Sequence, residues 1–315
     1  MARLTIHRDA PCPCGSGAPF RDCCGAADAH VGADGYVPAP FLQPLQTEPR
    51  LTDGQWQLCT SGQLDDPGYG DWCALLQEPP RRQRKQWEFV YILASLSAAG
   101  LLRPGSRGLG FGCGKEPLAA VMAKLGCEVT ATDLDAAAAS GRGWIETDQH
   151  AAQLDDLNER GICDPALFRQ RVRFLPQDMN RIAADLRGFD FVWSSCSFEH
   201  LGSLQHGLQF VVNAMQCLKP GGLAIHTTEF NLSSNLETVE SPDLSVYRKV
   251  DMEALRRRLA ADGHRLPPMN LNPGGSPPDR HVDLPPYRAE PHLRLLLDRF
   301  VITSIGLIVR RAPAA

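Results

Sequence analysis

A glycine-rich turn between a short apolar strand and a helix most strongly limits what this 315-residue chain can fold into. The turn reads Gly108-Leu-Gly-Phe-Gly-Cys-Gly-Lys-Glu116, and the next predicted strand, residues 128–132, ends beside Asp133. A glycine turn followed one strand later by a single acidic residue is typical of nucleoside-binding α/β domains. The pattern therefore predicts a ligand at the carboxyl ends of the strands.

The spacing of the glycines narrows the choice of ligand. A dinucleotide-binding turn needs G-x-G-x-x-G, but its last position here is Lys115 or Pro117, depending on the starting glycine. A P-loop needs G-x-x-x-x-G-K-[ST], and Leu109 and Glu116 occupy its first and last positions. Because Glu116 would also repel a phosphate at the helix start, a cationic or zwitterionic nucleoside fits better.

Segments with strand and helix patterns alternate along the rest of the chain. The predicted strands are residues 107–111, 128–132, 172–175, 189–195, 223–228 and 300–309, and the predicted helices are 81–99, 116–125, 145–158, 203–218 and 252–261. This βαβα order favours an α/β fold with a parallel, doubly wound (Rossmann-like) sheet.

Five motifs in this order resemble those of the class I S-adenosylmethionine-dependent methyltransferases. They are Phe111-Gly-Cys-Gly114, Asp133, Gln177-Asp178, the segment Ser194 to Leu201, and Leu218-Lys-Pro-Gly-Gly222. The resemblance covers residues 100–230 and implies a seven-stranded, mostly parallel sheet whose last strand is antiparallel. It also implies S-adenosylmethionine as the cofactor, with Asp133 bonded to both ribose hydroxyls.

The resemblance carries a set of cofactor-binding residues onto this sequence. They are Phe111, Gly112, Cys113, Gly114, Glu116, Asp133, Leu134, Asp178, Met179, Ser195, Cys196 and His200. The chain departs from the family at two positions, because Gly110 stands where an acidic residue is usual and Glu116 stands where a third glycine is usual. The amino-acid part of the cofactor is therefore expected to be held differently. His200 has a competing structural role beside the cofactor loop.

A cysteine cluster near the start of the chain indicates a metal site. Cys12, Cys14, Cys23 and Cys24 follow a C-x-C-x8-C-C pattern, and four thiolates can close a tetrahedral zinc site. The segment, which begins Cys-Pro-Cys-Gly-Ser-Gly, resembles the SEC-C motif. That resemblance implies one structural zinc ion and a protein- or ribosome-contacting role. The alternative is a reactive or disordered cysteine tail, and the other seven cysteines have no metal-ligand spacing.

These patterns divide the chain into three parts. Residues 1–30 form the predicted zinc motif, 31–80 an irregular arm packed on the core, and 81–315 the methyltransferase domain with a Pro-rich lid at about 262–291. No run of 18 apolar residues and no signal-peptide pattern is present, so we expect a cytoplasmic protein without a membrane segment. A formal net charge of −4 argues against nucleic acid as a partner. The Ala, Arg, Gly and Pro bias suggests a bacterial source.

Three residues are the sequence-based candidates for catalysis. His226 and Glu229 lie at the end of the predicted strand 223–228, where such sheets bind ligands, and His281 lies in the Pro-rich lid. A solvated surface role for His281 is the alternative. A metal site formed by His226, Glu229, His281 and Asp283 is conceivable, but no spacing supports it.

Three functions remain open at this level. The first is methyl transfer from S-adenosylmethionine to an oxygen or nitrogen of a polar small molecule, such as a sugar, an aminosugar or a natural product. The second is a protein- or ribosome-associated methyltransferase recruited through the zinc motif. The third is a non-catalytic binding protein with a methyltransferase fold, which the departures at Gly110 and Glu116 motivate.

Overall fold

The structure is a computed structural model that describes residues 11, 19, 31–32, 35–36, 38–42, 46–135, 151, 153–287 and 290–313. The four cysteines of the predicted zinc site lie outside the described residues. Most of the predicted helix 145–158 also lies outside them, and the part that is described contains a short 3-10 helix, Leu154–Asn158.

Eleven strands occur in the described part of the chain. They are β1 (Val31–Gly32), β2 (Gly35–Tyr36), β3 (Trp56–Leu58), β4 (Arg107–Phe111), β5 (Glu128–Asp133), β6 (Val172–Pro176), β7 (Phe189–Ser195), β8 (Leu218–Asn231), β9 (Met269–Asn270), β10 (Leu295–Leu297) and β11 (Phe300–Arg310). Strands β1 and β2 pair as a small antiparallel ribbon, and the other nine form one sheet.

The nine-stranded sheet has the order β6-β5-β4-β7-β8-β11-β3-β9, and β10 also pairs with β11. Strands β6, β5, β4, β7 and β8 run parallel, and β11 is antiparallel to β8. The α/β class, the parallel half and the antiparallel last strand are therefore confirmed. The seven-strand count is wrong, because β3, β9 and β10 have only two or three residues each and are too short to show a periodic pattern.

Eight α-helices pack on this sheet in the described residues. They are α1 (Ser61–Leu64), α2 (Tyr69–Leu75), α3 (Arg84–Ala98), α4 (Leu118–Lys124), α5 (Pro165–Arg171), α6 (Leu204–Ala214), α7 (Lys249–Ala261) and α8 (Pro277–Arg280). Local signals explain two of their starts, since Asp164 caps α5 and Ser203 caps α6 through their side-chain oxygens. Within the described residues, we find no helix with the length and apolar character needed to cross a bilayer.

The segment predicted as an irregular arm, residues 31–80, is more ordered than expected. It contributes β3 to the sheet, and the indole of Trp56 in β3 donates a hydrogen bond of 2.7 Å to the carbonyl of Ile308. Helices α1 and α2 follow β3 directly. Residues of this segment are thus part of the main core, which corrects the boundary at residue 81.

The predicted lid, residues 262–291, is likewise built into the fold over much of its length. Strand β9 pairs with β3 at the sheet edge, and the carboxylate of Asp279 in α8 accepts a 2.7 Å hydrogen bond from the backbone N–H of Ser61. Asp279 also lies 3.6 Å from the buried guanidinium of Arg294. Residues 269–280 therefore form the edge opposite β6, and they are not an extended lid.

Candidate active site

A cavity of about 270 Å³ opens at the carboxyl ends of β4, β5, β6 and β7. Eleven of the twelve predicted cofactor residues line it, namely all except Phe111. The cavity is lined by Lys85, Phe89, Gly112, Cys113, Gly114, Lys115, Glu116, Pro117, Asp133, Leu134, Arg160, Gln177, Asp178, Met179, Ser195, Cys196, Ser197, His200 and Leu201. In the described part of this chain, no residue of the predicted lid lines it.

The glycine turn forms one wall of the cavity with its backbone. Gly112 has a φ of +57°, which is a left-handed conformation that favours glycine. A Cβ atom on Gly112 would lie 2.8 Å from the Cβ of Ser197, so a side chain would also collide with the opposite wall. Phe111 instead points into the core, where its ring meets the edge of Phe210 at 5.2 Å, and the prediction that Phe111 contacts a ligand is not supported.

Two carboxylates stand side by side at the ends of β5 and β6. Asp133 accepts hydrogen bonds from the backbone N–H groups of Gly114 at 3.1 Å and Leu134 at 2.8 Å. Asp178 follows β6 and accepts from the N–H of Asn180 at 2.8 Å. These bonds orient acceptor oxygens at the rim of the cavity, where hydroxyl or amino groups of a nucleoside can donate to them.

An ion pair lies above the ends of β4 and β7. The ammonium of Lys85 is 3.1 Å from one carboxylate oxygen of Glu116 and 3.2 Å from the hydroxyl of Ser195. The other oxygen of Glu116 is buried and has no hydrogen-bond partner. Burial raises the pKa of Glu116 to about 7, although Lys85 opposes that rise. The carboxylate is therefore available to a further donor.

Lys85 was missed as a site residue because it belongs to a run of five charged or polar residues, 81–85, which fits a solvated helix start. The structure instead buries the start of α3 against the sheet. Glu88 of α3 is fully buried between the two cations, at 3.3 Å from Arg84 and 3.4 Å from Lys85. Burial opposes ionisation of Glu88, but the two cations outweigh it and lower its pKa.

Arg84 links this helix to the end of β8. Its guanidinium lies 2.5 Å from Glu229 and 3.1 Å from the hydroxyl of Ser304. Arg84 is also 3.9 Å from the thiol of Cys196, which lines the cavity. Glu229, a sequence-based candidate, does not itself line the cavity and is connected to it through Arg84 and Cys196.

A second carboxylate is buried beside this pair. Glu199 accepts a 3.0 Å hydrogen bond from Thr228, and burial together with the charge of Glu229 raises the pKa of Glu199 to about 8. One oxygen of each carboxylate and the Nε atom of Arg84 are buried without a hydrogen-bond partner. Buried polar groups are normally satisfied, so these three atoms mark a place where polar groups of a ligand would be stabilised.

His226 lies in the core and does not line the cavity. Its Nδ1 atom is 2.8 Å from the hydroxyl of Ser194, and the rings of Phe198 and Phe210 meet its edge. Ser194 and His226 are paired in register on β7 and β8, so both side chains point to the same, buried face. Burial lowers the pKa of His226 to about 3. The structure therefore places His226 away from the cavity, and its catalytic role stays a prediction.

His281 is exposed after α8, whereas another histidine of the Pro-rich region occupies a more structured position. Nδ1 of His292 lies 2.6 Å from the buried carboxylate of Asp283. The backbone of His292 bonds to Arg82 at 2.7 Å and to Arg84 at 3.0 Å, which fixes the pair at the start of α3. The sequence analysis named Asp283 but not His292, because no pattern links these two residues, which are nine positions apart. Among the described residues, no His, Cys, Asp or Glu group suits a metal ion.

A family described as "methyltransferase domain" matches residues 68–295. The chain belongs to this methyltransferase domain family. The matched span includes the whole cavity and starts at residue 68, immediately before α2, in agreement with the structural role of the segment before residue 81. A SEC-C motif also matches residues 10–26, as the cysteine pattern predicts. The four cysteines of this motif lie outside the described residues.

Solved structures of methyltransferases match this chain at low sequence identity and with TM-scores below 0.5. A magnesium protoporphyrin IX methyltransferase from Synechocystis PCC 6803, solved with bound S-adenosylmethionine, is 13% identical with a TM-score of 0.43, over 79% of this chain and 93% of that one. A phosphoethanolamine N-methyltransferase 2 from Haemonchus contortus is 19% identical with a TM-score of 0.37, over 53% of this chain and 35% of that one. The curated proteins searched gave no significant match.

Proposed function

We propose that this methyltransferase-family chain transfers a methyl group from S-adenosylmethionine to an oxygen or nitrogen atom of a polar small molecule. The observation that carries the proposal is the presence of two unlike regions that meet at Cys196 in the cavity wall. Oriented carboxylates follow β5 and β6, and a cluster of buried charged groups with unpartnered atoms borders the end of β8. The first suits a nucleoside, and the second suits a polar acceptor.

The residues present fit S-adenosylmethionine. We define the nucleoside half of the cavity as Gly112–Gly114, Asp133, Leu134, Asp178 and Met179. In this proposal Asp133 accepts from the ribose hydroxyls, and Asp178 with Met179 contacts the base. When bound, S-adenosylmethionine supplies an electrophilic methyl group on a sulfonium. The unpartnered, buried oxygen of Glu116 favours a positively charged ligand. The space beside Gly112, which a side chain at that position would fill, lets the ligand lie close to the backbone.

We define the acceptor half of the site as Arg84, Cys196, Glu199, Glu229 and His292, and propose that it binds the molecule that is methylated. Cys196 lines the cavity, and the other four residues lie behind it, with Arg84 at 3.9 Å from the Cys196 thiol. The carboxylates and guanidinium of this half are buried or nearly so, with Glu229 only 12% exposed. Charged groups in such a setting discriminate strongly in favour of ligands that hydrogen-bond to them. Hydroxyl and amino groups of a sugar, an aminosugar or a similar natural product meet this requirement, whereas an apolar acceptor would leave the unpartnered atoms unsatisfied.

His292 is the side chain best arranged to accept a proton from the methyl acceptor. Asp283 occupies Nδ1 of His292, so the proton would be taken up at Nε2. The carboxylate of Asp283 is buried and its backbone bonds to Arg294 and Leu296, which keeps the imidazole in one orientation. The imidazolium formed would be stabilised by that carboxylate, as in other carboxylate–histidine pairs that act as general bases.

Transfer of a labelled methyl group tests this proposal. Full-length protein would be incubated with deuterated S-adenosylmethionine and a fractionated metabolite extract, and mass spectrometry would locate the label. We expect a +3 Da methyl group on a polar small molecule. Label confined to protein or RNA would contradict the small-molecule acceptor. Binding of S-adenosylhomocysteine without any transfer would support the non-catalytic alternative.

A second candidate function rests on the SEC-C match at residues 10–26. The cysteine spacing supports a zinc ion held by Cys12, Cys14, Cys23 and Cys24, with a folded motif that recruits a protein or ribosomal substrate. Metal analysis of the full chain would give about one zinc ion per chain if this is so. In a Cys23→Ser/Cys24→Ser variant, loss of zinc with unchanged labelling of the small molecule would separate the motif from the small-molecule reaction.

A further inference from the structure

The Lys85–Glu116 pair lies at one end of the cavity. Asp133 and Asp178 follow β5 and β6, whereas Lys85 and Glu116 meet Ser195 at the end of β7. Strand β4, with its glycine turn, lies between these two pairs of elements. A nucleoside held at Asp133 would therefore extend its 5′ substituent across the glycine turn toward Lys85 and Glu116.

The chemistry of this pair matches an α-amino acid. Lys85 lines the cavity with a side chain that is 40% exposed, and Glu116 lines it with one that is 12% exposed. The second oxygen of Glu116 is buried and has no hydrogen-bond partner. The Lys85 ammonium already donates to Glu116 and to the hydroxyl and carbonyl of Ser195, so a ligand carboxylate would replace one of these bonds. The unpartnered carboxylate oxygen and the neighbouring cation are together complementary to an ammonium beside a carboxylate.

We infer that Lys85 and Glu116 bind the amino-acid end of the cofactor, with Glu116 accepting from its α-ammonium and Lys85 donating to its α-carboxylate. This inference rests on the proposed function, since it takes S-adenosylmethionine as the ligand. Lys85 and Glu116 are 31 positions apart and come from α3 and from the turn before α4. The ammonium and carboxylate of the cofactor would thus be held by residues outside β4.

The surroundings of β4 support this assignment. A Cβ atom on Gly110 would lie 2.3 Å from the indole of Trp193 and 2.4 Å from the thiol of Cys113. Trp193 thus fills the space beside residue 110, and no acidic side chain can project from β4 at that point. The acid nearest to the turn that lines the cavity on this side is Glu116.

Isothermal titration calorimetry with three ligands tests the inference without relying on turnover. The ligands are S-adenosylhomocysteine, its decarboxylated analogue, and 5′-methylthioadenosine, which lacks the amino-acid end. We expect Glu116→Gln to weaken binding of the first two ligands by ~10–100-fold, the range for loss of a charged hydrogen bond, and that of methylthioadenosine less than about twofold. We expect Lys85→Met to weaken only S-adenosylhomocysteine by a similar factor.

Two exposed residues away from the cavity provide matched controls. Lys124→Met and Glu128→Gln remove the same charges at the end of α4 and the start of β5 and should leave all three affinities within about twofold. Equal weakening of methylthioadenosine by Glu116→Gln would overturn the inference, because it would indicate a general disturbance of the cavity. Unchanged binding of S-adenosylhomocysteine in both variants would also overturn it. If the unmodified protein binds none of the ligands, the proposed function itself fails.

Discussion

The nucleoside half and the acceptor half of the proposed site are held in place by different forces. The nucleoside half depends on backbone, because Gly112 adopts a left-handed φ and Asp133 is oriented by N–H groups of Gly114 and Leu134. The acceptor half depends on side chains, because Arg84 and Glu229 neutralise each other in a nearly closed space. A backbone-built site is set by local geometry, whereas a charge-built site responds to whatever changes the balance of its charges.

The largest difference between the halves should appear when His292 is removed. We expect His292→Ala to lower kcat by about 10²–10⁴-fold through loss of a general base, with the affinity for S-adenosylhomocysteine unchanged. Steady-state kinetics and calorimetry measure the two quantities. His281→Ala provides the comparison, and a large loss of kcat there with little loss in His292→Ala would show that the wrong histidine has been assigned.

At Asp133 we expect a smaller effect, which changes the affinity for the cofactor and not kcat. Asp133→Asn should weaken S-adenosylhomocysteine by ~10–100-fold, because the variant loses charged hydrogen bonds to the ribose. At saturating cofactor, kcat should change little, since Asp133 belongs to the nucleoside half. Calorimetry with Glu128→Gln, at the other end of β5, is the control. Equal affinities for the Asp133→Asn variant and the unmodified protein would show that Asp133 does not bind the ribose.

The pH dependence of cofactor affinity should distinguish the amino-acid end from both halves. Burial raises the pKa of Glu116 to about 7 in the empty cavity, and a bound α-ammonium would lower it. Affinity for S-adenosylhomocysteine should be fully present above pH 7 and fall by up to about tenfold per pH unit below it. Binding near pH 6 should release a proton, which calorimetry in two buffers detects. Methylthioadenosine should show neither effect.

The smallest catalytic effect is expected at His226, which lies in the core. With a pKa of about 3 due to burial, it stays neutral from pH 5 to pH 8, so His226→Leu should leave the shape of the pH profile of kcat unchanged. The variant leaves Ser194 unsatisfied and should lower the free energy of unfolding by about 1–3 kcal/mol, measured with urea. A shift in the pH profile of kcat would show that His226 takes part in the reaction.

The same contrast explains what the sequence could predict. Residues 111–116, 133–134, 177–179 and 195–200 each lie at the end of a strand or directly after it, so the motifs indicated eleven cavity residues. Lys85, Arg84 and His292 reach the site through contacts with residues far away in the chain, such as the 145 positions that separate Arg84 from Glu229. No periodicity reports such contacts.

His226 shows the limit of placing residues from strand ends alone. The sequence places it close to the carboxyl end of a strand, but β8 continues to Asn231 and the pairing of His226 with Ser194 directs both side chains to the buried face. The side of the sheet depends on register, which a short apolar run does not reveal. The added strands β3 and β9 were missed for a related reason, because they depend on pairing partners rather than on pattern.

Glu88 is a common counterion of the acceptor half and of the proposed site for the amino-acid end of the cofactor. It lies within 3.4 Å of both Arg84 and Lys85, which are consecutive residues of one helix. A ligand carboxylate that draws Lys85 away leaves more of the negative charge of Glu88 to Arg84, and so loosens the hold of Arg84 on Glu229. The two binding events are then thermodynamically linked, and reciprocity requires each ligand to alter the affinity for the other by the same factor. Filling the cofactor site would therefore change the strength with which the acceptor half holds its substrate.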